Sequence, residues 1–587
     1  MRSNRRSVAL SAFLLAGAIV GSLAQPASAS PPTVPQTYVE GSDPAAALYN
    51  PLVVNQINLS MPPSTITGLT SPNVNSDNEG AYLPATMSAV VNGKAYGPMA
   101  VGVHLKGAWG SWRDINGKSG FKVKIDFVDK NARFFGVSKL TLNNMVQDPS
   151  FLHETMAYRI FRAVGIAAPR TGFANVTVNG VNYGLHLNLE TFDTELLARF
   201  NVKPQHIYKA GVPSFADLAQ GQEPGFAVGF GKADDKADLT SLIAANGANP
   251  QTDWFTRVSQ VADLKEMTLD WATELFTGHW DGYVHNRNNY YLVSDSAGRF
   301  IMLPWGTDQS FYGGVDYYDN EGLMFRQCLL SKPCLALYQQ ALAKVVHTTN
   351  ALNILPMTEA VAAAISSTAL ADTRKEFGND QIPGYQAGAR NILQSQLTNA
   401  LTMIVPFDTE MATFGNADYG LAAPNSLLFV PASAKSIQIQ GNPFSPTAVS
   451  SHPRMLLHAG LNTATIVISN QAGNNSQTFL VKVYRLSAKA ISKTFAFVAS
   501  SSHLTPKSLD ALGVMSDKLA NCQEIKVELL FGQAKLSYKS AIALAKRRAN
   551  ELNARLTALS VRPVRITYAL SPKVSGDQVT VNLKYQG

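Results

Sequence analysis

Residues 279–311 read HWDGYVHNRNNYYLVSDSAGRFIMLPWGTDQSF, and in them two acids and an amide are spaced to suit one kind of chemistry. Asp281 is followed five residues later by Asn286, and Asp308 comes after two runs of β-formers, 289–294 and 299–303, separated by Asp295, Ser296, Ala297 and Gly298. Such runs around a short turn predict a β-hairpin, which returns the chain to its starting end. The polar loop before the first strand (Asp281, His285, Asn286, Asn288) and the one after the second (Thr307, Asp308, Gln309) then lie side by side. There one carboxylate can orient an attacking hydroxyl while an amide oxygen and a second carboxylate hold Mg2+ against nucleotide phosphates, as phosphoryl transfer requires. Polar residues at hairpin ends also cap turns, and on spacing alone that reading stays open.

The elements that must position these groups are legible on both sides. Residues 263–280 are apolar at 264, 267, 271, 275 and 276, the spacing of a helix that delivers Asp281 at its C-terminal end. Residues 148–164 (DPSFLHETMAYRIFRAV) open on Asp-Pro-Ser and are apolar at 152, 156, 160, 161 and 164, a second amphipathic helix with Glu154 in its first turns. An acid there also complements a helix N-terminus. Residues 99–106 predict a strand leading into a Gly- and Trp-containing turn whose N–H groups suit phosphates. Residues 121–127 (FKVKIDF) alternate, placing Lys122, Lys124 and Asp126 on one face. Gly117-Lys118-Ser119 looks like the end of a phosphate-binding P-loop, but Trp112 stands where that motif needs glycine, which excludes it. Residues 171–191 predict a hairpin with an Asn179-Gly180 turn, ending in Glu190, and 329–403 are helical in pattern.

The run DGYVHNRNNYYL with GRFIMLPWGTDQSF resembles the CotH-type (spore coat protein H) atypical kinase family, whose pattern is an Asp-initiated loop, an NYYLY strand and then PWDxDxxFG. The resemblance covers about residues 100–405. It implies a two-lobed, protein-kinase-like domain that uses ATP with Mg2+ (or Mn2+), Asp281 orienting the acceptor hydroxyl and Asn286 and Asp308 holding metal. The family's RGxxS loop and KKSYxIxF strand stand here as KGAWGS and KSGFKVKI, so Lys106 replaces the family's Arg and Lys118 matches the first Lys. Lys118 is therefore the expected nucleotide-binding lysine, with Lys124 as the alternative. Glu154 resembles the acid of the family's DPSFLRE helix, expected to pair with that lysine. Glu190 ends a VxVNGxYxGxYxLxE hairpin and is expected to line the cleft, and Lys209, in IYKA, matches the family's LYK. One departure stands out: Gly306 occupies the place of the first acid in PWDxD. Losing a metal ligand there would leave a silent fold.

Composition sets the frame. The chain of 587 residues is 46% hydrophobic and 15% charged, which fits several folded domains. Its net charge of +8 suits anionic envelope polymers without indicating nucleic acid. A basic start, an apolar run over 8–23 and Ala27-Ser28-Ala29 read as a signal peptide, 1–29, so the mature chain is expected outside the cytoplasm, secreted or in the cell envelope of a bacterium. No later segment reads as a transmembrane span. Cys328 and Cys334 flank LLSKP, a disulfide candidate in an oxidising compartment, and no Cys/His cluster supports zinc. An extended N-terminal arm (30–80) precedes the kinase-like domain (81–405). A linker (406–424), a β-rich module (425–487) resembling cadherin- or immunoglobulin-like sandwiches, and an α/β segment (493–587) follow. That last segment resembles OmpA-like domains through LAKRRANELNARL, which offers Arg548 to a wall-peptide carboxylate. The fold class is thus multidomain α+β. The expected function is a secreted kinase acting on Ser/Thr of an envelope or surface protein, with cell-wall polymer as a further partner. The alternative is a catalytically silent wall-binding or adhesion module on the same fold.

Overall fold

Strands that alternate inward and outward residues, joined by turns that need positive φ, build the first half of the protein. In the computed structural model the described residues are 41–69, 81–108, 110–210, 215–247, 253–313, 316–318, 321–398, 401–405, 411–413, 434–440, 448–450, 454–457, 460–470, 476–485, 488–517, 523–533, 536–558 and 565–586. The signal-peptide reading, 1–29, lies outside them. Among the described residues β1 (Val54–Ser60), β2 (Leu83–Val91), β3 (Lys94–Lys106), β4 (Gly120–Lys124), β5 (Lys139–Asn143), β6 (Thr171–Val178) and β7 (Val181–Leu189) close into a barrel in the order β1-β2-β3-β4-β5-β7-β6. The β6–β7 turn is Asn179-Gly180, both at positive φ, the conformation that a tight hairpin turn demands. Met87, Val103, Phe121, Val123, Leu140, Leu142 and Val176 fill the interior with no exposed surface.

The expected N-terminal arm is corrected here. β1 pairs antiparallel with β2 and parallel with β6, so residues 54–60 close the barrel. They alternate, with Asn55, Ile57 and Leu59 buried, but the polar Asn55 on the inward face and Val54 on the outward face blur that alternation in the sequence. After a short helix, α1 (Pro63–Leu69), and the barrel's first five strands comes α2 (His153–Val164). It starts later than the periodicity suggests, because Asp148 folds residues 148–152 into a turn: its carboxylate accepts Ser150 N at 2.9 Å and His153 N at 2.8 Å. A short helix, α3 (Thr194–Arg199), follows the barrel.

The second half pairs a sheet with helices. β8 (His206–Ala210), β9 (Phe226–Phe230), β10 (Tyr290–Ser294) and β11 (Phe300–Pro304) form a sheet ordered β11-β10-β8-β9. β10 and β11 are the expected hairpin, in register from Tyr290↔Pro304 to Ser294↔Phe300. Helices α4 (Ala237–Gly247), α5 (Trp254–Val261), α6 (Leu264–Thr277), α7 (Tyr283–Asn286), α8 (Leu323–Leu330), α9 (Lys332–Leu352), α10 (Ile354–Ala371) and α11 (Ile382–Thr398) complete it. A disulfide joins Cys328 of α8 to Cys334 of α9. The length and composition of α10 would let it cross a membrane, which the sequence reading did not register. Its buried residues Ile354, Met357, Val361, Ile365 and Ala369 follow helical spacing, as a core-facing helix requires.

Beyond α11 the boundaries shift. β12 (Leu401–Val405) belongs to a sheet with the β-rich module, ordered β12-β18-β17-β14-β15, where β14 is Ala434–Gln440, β15 Ala448–Ser450, β17 Gly460–Asn470 and β18 Ser476–Arg485. β13 (Met411–Thr413) pairs with β16 (Arg454–Leu456), so part of the expected linker is strand. The last module is β19 (Ala488–Ala496), α12 (Pro506–Asp517), β20 (Gln523–Phe531), α13 (Tyr538–Ala558), β21 (Arg565–Leu570) and β22 (Gln578–Gln586). The sequence reading missed β22, which lies between β19 and β20 and buries Val579, Val581 and Leu583. The whole is a multidomain α+β protein.

Candidate active site

Helix α6 ends on Gly278, at φ 64°, and the chain turns into the loop that carries Asp281. The buried Glu274 carboxylate on α6 holds that loop, accepting Tyr283 N at 3.1 Å and Val284 N at 2.9 Å. Residue 282 must be glycine, since a Cβ there would come within 2.8 Å of the Glu274 carboxyl. Burial pushes Glu274 up to about 8 despite those two N–H donors. Asp281 is then fixed by three amides: its Oδ1 accepts Asn286 Nδ2 at 2.6 Å and Asn288 Nδ2 at 3.2 Å, and its Oδ2 accepts Asn289 Nδ2 at 2.7 Å.

The hairpin brings the second polar loop alongside. Trp305 N donates to Asn289 O at 3.0 Å. His279, driven down to about 4 by burial, is neutral and donates Nε2–H to Trp305 O at 3.0 Å. Asp308 follows on a short turn, its backbone oxygen accepting His153 Nδ1 at 2.8 Å. Burial raises its carboxyl to about 6, against the pull of Lys106. Glu154 rises to about 8, again through burial and then the nearby Asp308 charge. Asn143 links it to Lys106, donating Nδ2 to Glu154 Oε2 and accepting Lys106 Nζ on Oδ1 at 3.3 Å. Burial lowers the Lys106 ammonium, which the Glu154 and Asp308 charges partly restore.

Several of these groups line a cavity of about 400 Å³ whose walls include Lys106, Lys122 and Lys209 as well as Glu154, Asp281 and Asp308. Asn286, Asn288 and Asn289 also line it, while Leu105, Ala210 and Tyr291 give it an apolar side. Of the expected site residues, the structure brings together Asp281, Asn286, Asp308, Glu154 and Lys209. Lys122, Asn143 and Asn289 join them without having been singled out. Lys106 carried a signal in standing where a family Arg is expected. Glu274 had none, since nothing in its spacing tells it from an ordinary helix acid.

Four expectations are corrected. Lys118 does not reach the cavity: it is 2% exposed, donates to Tyr183 O at 2.8 Å and Leu185 O at 2.7 Å, and pairs with Asp372 Oδ2 at 2.5 Å. Lys124 stands two residues along β4 from Lys122, with its ammonium 5.4 Å from the Tyr82 ring. Glu190 serves a buried ion cluster, accepting Arg170 Nη2 at 2.8 Å and Arg199 Nη2 at 2.7 Å. Arg548, expected at a wall-binding site, is 1% exposed. It pairs with Asp577 at 2.6 Å, donates Nε to Ser501 O at 2.7 Å and lies 4.5 Å over the Phe497 ring.

A cluster of three or more His, Cys, Asp or Glu side chains set for a metal ion is absent among the described residues. Mg2+ needs less from a protein, since it takes one or two carboxylates and fills its shell with water and phosphate oxygens. Asp308 and Asn286, whose Nδ2 is spent on Asp281 and whose oxygen remains a donor atom, fit that requirement.

Residues 103–341 match the family model described as CotH kinase protein. Over 187 residues the chain is 27% identical to the inner spore coat protein H of Bacillus subtilis (strain 168), a stretch covering 30% of this chain and 51% of that protein. The chain thus spans about half the length of this curated relative. The segment 103–341 is a domain of the CotH type, and the cavity residues from His104 to Gln309 all fall within it.

Proposed function

We propose that the cavity binds ATP with Mg2+ or Mn2+ and transfers the γ-phosphoryl group to a Ser or Thr hydroxyl of an envelope or surface protein outside the cytoplasm. The observation that carries this reading is the convergence of three lysines, Lys106, Lys122 and Lys209, with Asp281 and Asp308 on the lining of one cavity. Lys106, Lys122 and Lys209 provide positive charge for the phosphates, and Glu154 fixes Lys106 through Asn143. Asp281, ordered by three amide donors, orients the acceptor hydroxyl and takes its proton as the new P–O bond forms and the bond to the departing ADP oxygen breaks. Asp308 and Asn286 would hold the cation, which when bound neutralises charge on the phosphate oxygens.

A second reading, a silent surface or wall-binding module, draws support from Gly306. A side chain at this position, at φ 53°, would put a Cβ 2.9 Å from the Asn289 amide, so an acid cannot enter without displacing a group bonded to Asp281. The deciding experiment is incubation of the mature protein with γ-labelled ATP and Mg2+ or Mn2+, using the protein itself and a basic test substrate as acceptors. Label on Ser or Thr that falls about 10²–10⁴-fold in Asp281→Asn supports the kinase. Equal label in both proteins, or none in either, supports the silent module.

A further inference from the structure

The turn between α10 and α11, residues 372–376 (DTRKE), lies beyond the segment that matches the CotH model and grips the barrel next to the cavity. We propose that these residues form a clasp that positions the phosphate side of the cavity, the loop 107–119, so that contacts outside the cavity set its affinity for nucleotide. This rests on the nucleotide reading above.

The clasp is built on one buried carboxylate. Asp372 accepts Lys118 Nζ at 2.5 Å, Leu185 N at 3.1 Å, Arg374 N at 2.9 Å and Lys375 N at 3.2 Å. Gly184, at φ 77°, makes room, since a Cβ there would sit 2.0 Å from the Asp372 Cγ. From this anchor two arginines tie down the loop. Arg374 donates to Asn116 O and Gly117 O, both at 2.6 Å, and its guanidinium lies 3.9 Å over the Tyr183 ring. Arg113, within the loop, donates to Gly110 O at 2.9 Å and Trp112 O at 2.7 Å and forms a two-pronged pair with Glu376.

The other end of the same loop faces the site, where Gly107, Ala108 and Ser111 line the cavity. Asn144 couples the two ends by donating Nδ2 to Ser111 O at 2.8 Å and Lys118 O at 2.7 Å. Phe377, the next residue after the clasp, meets Phe151 with ring centroids 5.3 Å apart, in the turn that launches α2 and hence Glu154. The clasp therefore touches both elements that frame the phosphate end. Carbonyls and amides pinned from behind hold the wall in one shape before ligand arrives, which lowers the ordering cost of binding.

The test uses the full mature chain and the half-exposed pair Arg113 and Glu376, whose side chains are 30% and 40% accessible, so that folding survives. Arg113→Glu, Glu376→Arg and the double exchange are titrated calorimetrically with ATP and Mg2+, alongside thermal melts and amide hydrogen exchange over 107–119. Each single reversal should weaken ATP binding by about 3- to 30-fold with a nearly unchanged melt, and the double exchange, which restores the ion pair but not the Arg113 bonds to Gly110 O and Trp112 O, should recover part of that loss. Singles that bind like the parent, or a double exchange no better than the singles, would overturn the clasp. Should the parent protein bind no ATP, the nucleotide reading fails by itself. Exchange then decides: loop amides faster in the singles and slower again in the double support the clasp, and unchanged amides refute it.

Discussion

Lys106 and Lys118 lie twelve residues apart on either side of one loop, and their surroundings give them different work. Lys106 faces the cavity beside Glu154 and Asp308, whereas Lys118 is sealed against Asp372. Replacing Lys106 by Met should therefore weaken ATP binding by at least about tenfold while leaving the melt close to that of the parent, a loss of the kind expected when a charged contact is removed. Lys118→Met should do the reverse, since it leaves Asp372 buried without its cation and costs about 3–5 kcal/mol of stability. Parallel melts and titrations distinguish the two. Asp308 adds a pH signature. Burial raises its carboxyl to about 6, so below that pH it is protonated and loses its affinity for a cation. Metal-dependent ATP binding should fall as pH drops through about 6, and Asp308→Asn should bind weakly with no such step. At this scale the sequence told half the story: Asp281, Asn286 and Asp308 were legible because a hairpin must bring their loops together. Lys118 was not, because its partner lies 254 residues away and no local pattern announces a buried pair.

Helix α6 buries acidic side chains. Glu266, Asp270 and Glu274 recur every four residues on one face, and burial raises all three carboxyls. Glu266 and Glu274 accept backbone N–H groups, but both oxygens of Asp270 are buried without a partner. In the native state these carboxyls keep protons that the unfolded chain releases above about pH 4. Stability should then fall as pH rises from there through about 8, the value reached by Glu274. Asp270→Asn, neutral at every pH, should raise the melting temperature at pH 8 and leave it nearly unchanged at pH 4.5. An equally steep fall in the variant would show that Asp270 is not protonated in the native state. The elements themselves were mostly readable. The β10–β11 hairpin and α6 follow from periodicity, with Gly278 ending the helix as a left-handed cap must. β1 and β22 were not read, because each is a short alternating run whose role appears only when distant strands accept it on both sides.

As a whole molecule, a closed barrel and a helical half enclose the cavity, and β-rich and α/β modules follow in the chain. Barrel closure could not be read from sequence, since it depends on the parallel pairing of β1 with β6 across more than a hundred residues. On the proposed function the cavity is a metal-dependent nucleotide site. It is tested by calorimetric titration of the protein with ATP, with and without Mg2+, for the parent and for Asp308→Asn. Such a site should give saturable binding of one ATP that strengthens with Mg2+ in the parent and loses the Mg2+ dependence in the variant. Absence of ATP binding in the parent, or an identical Mg2+ dependence in both proteins, would contradict it.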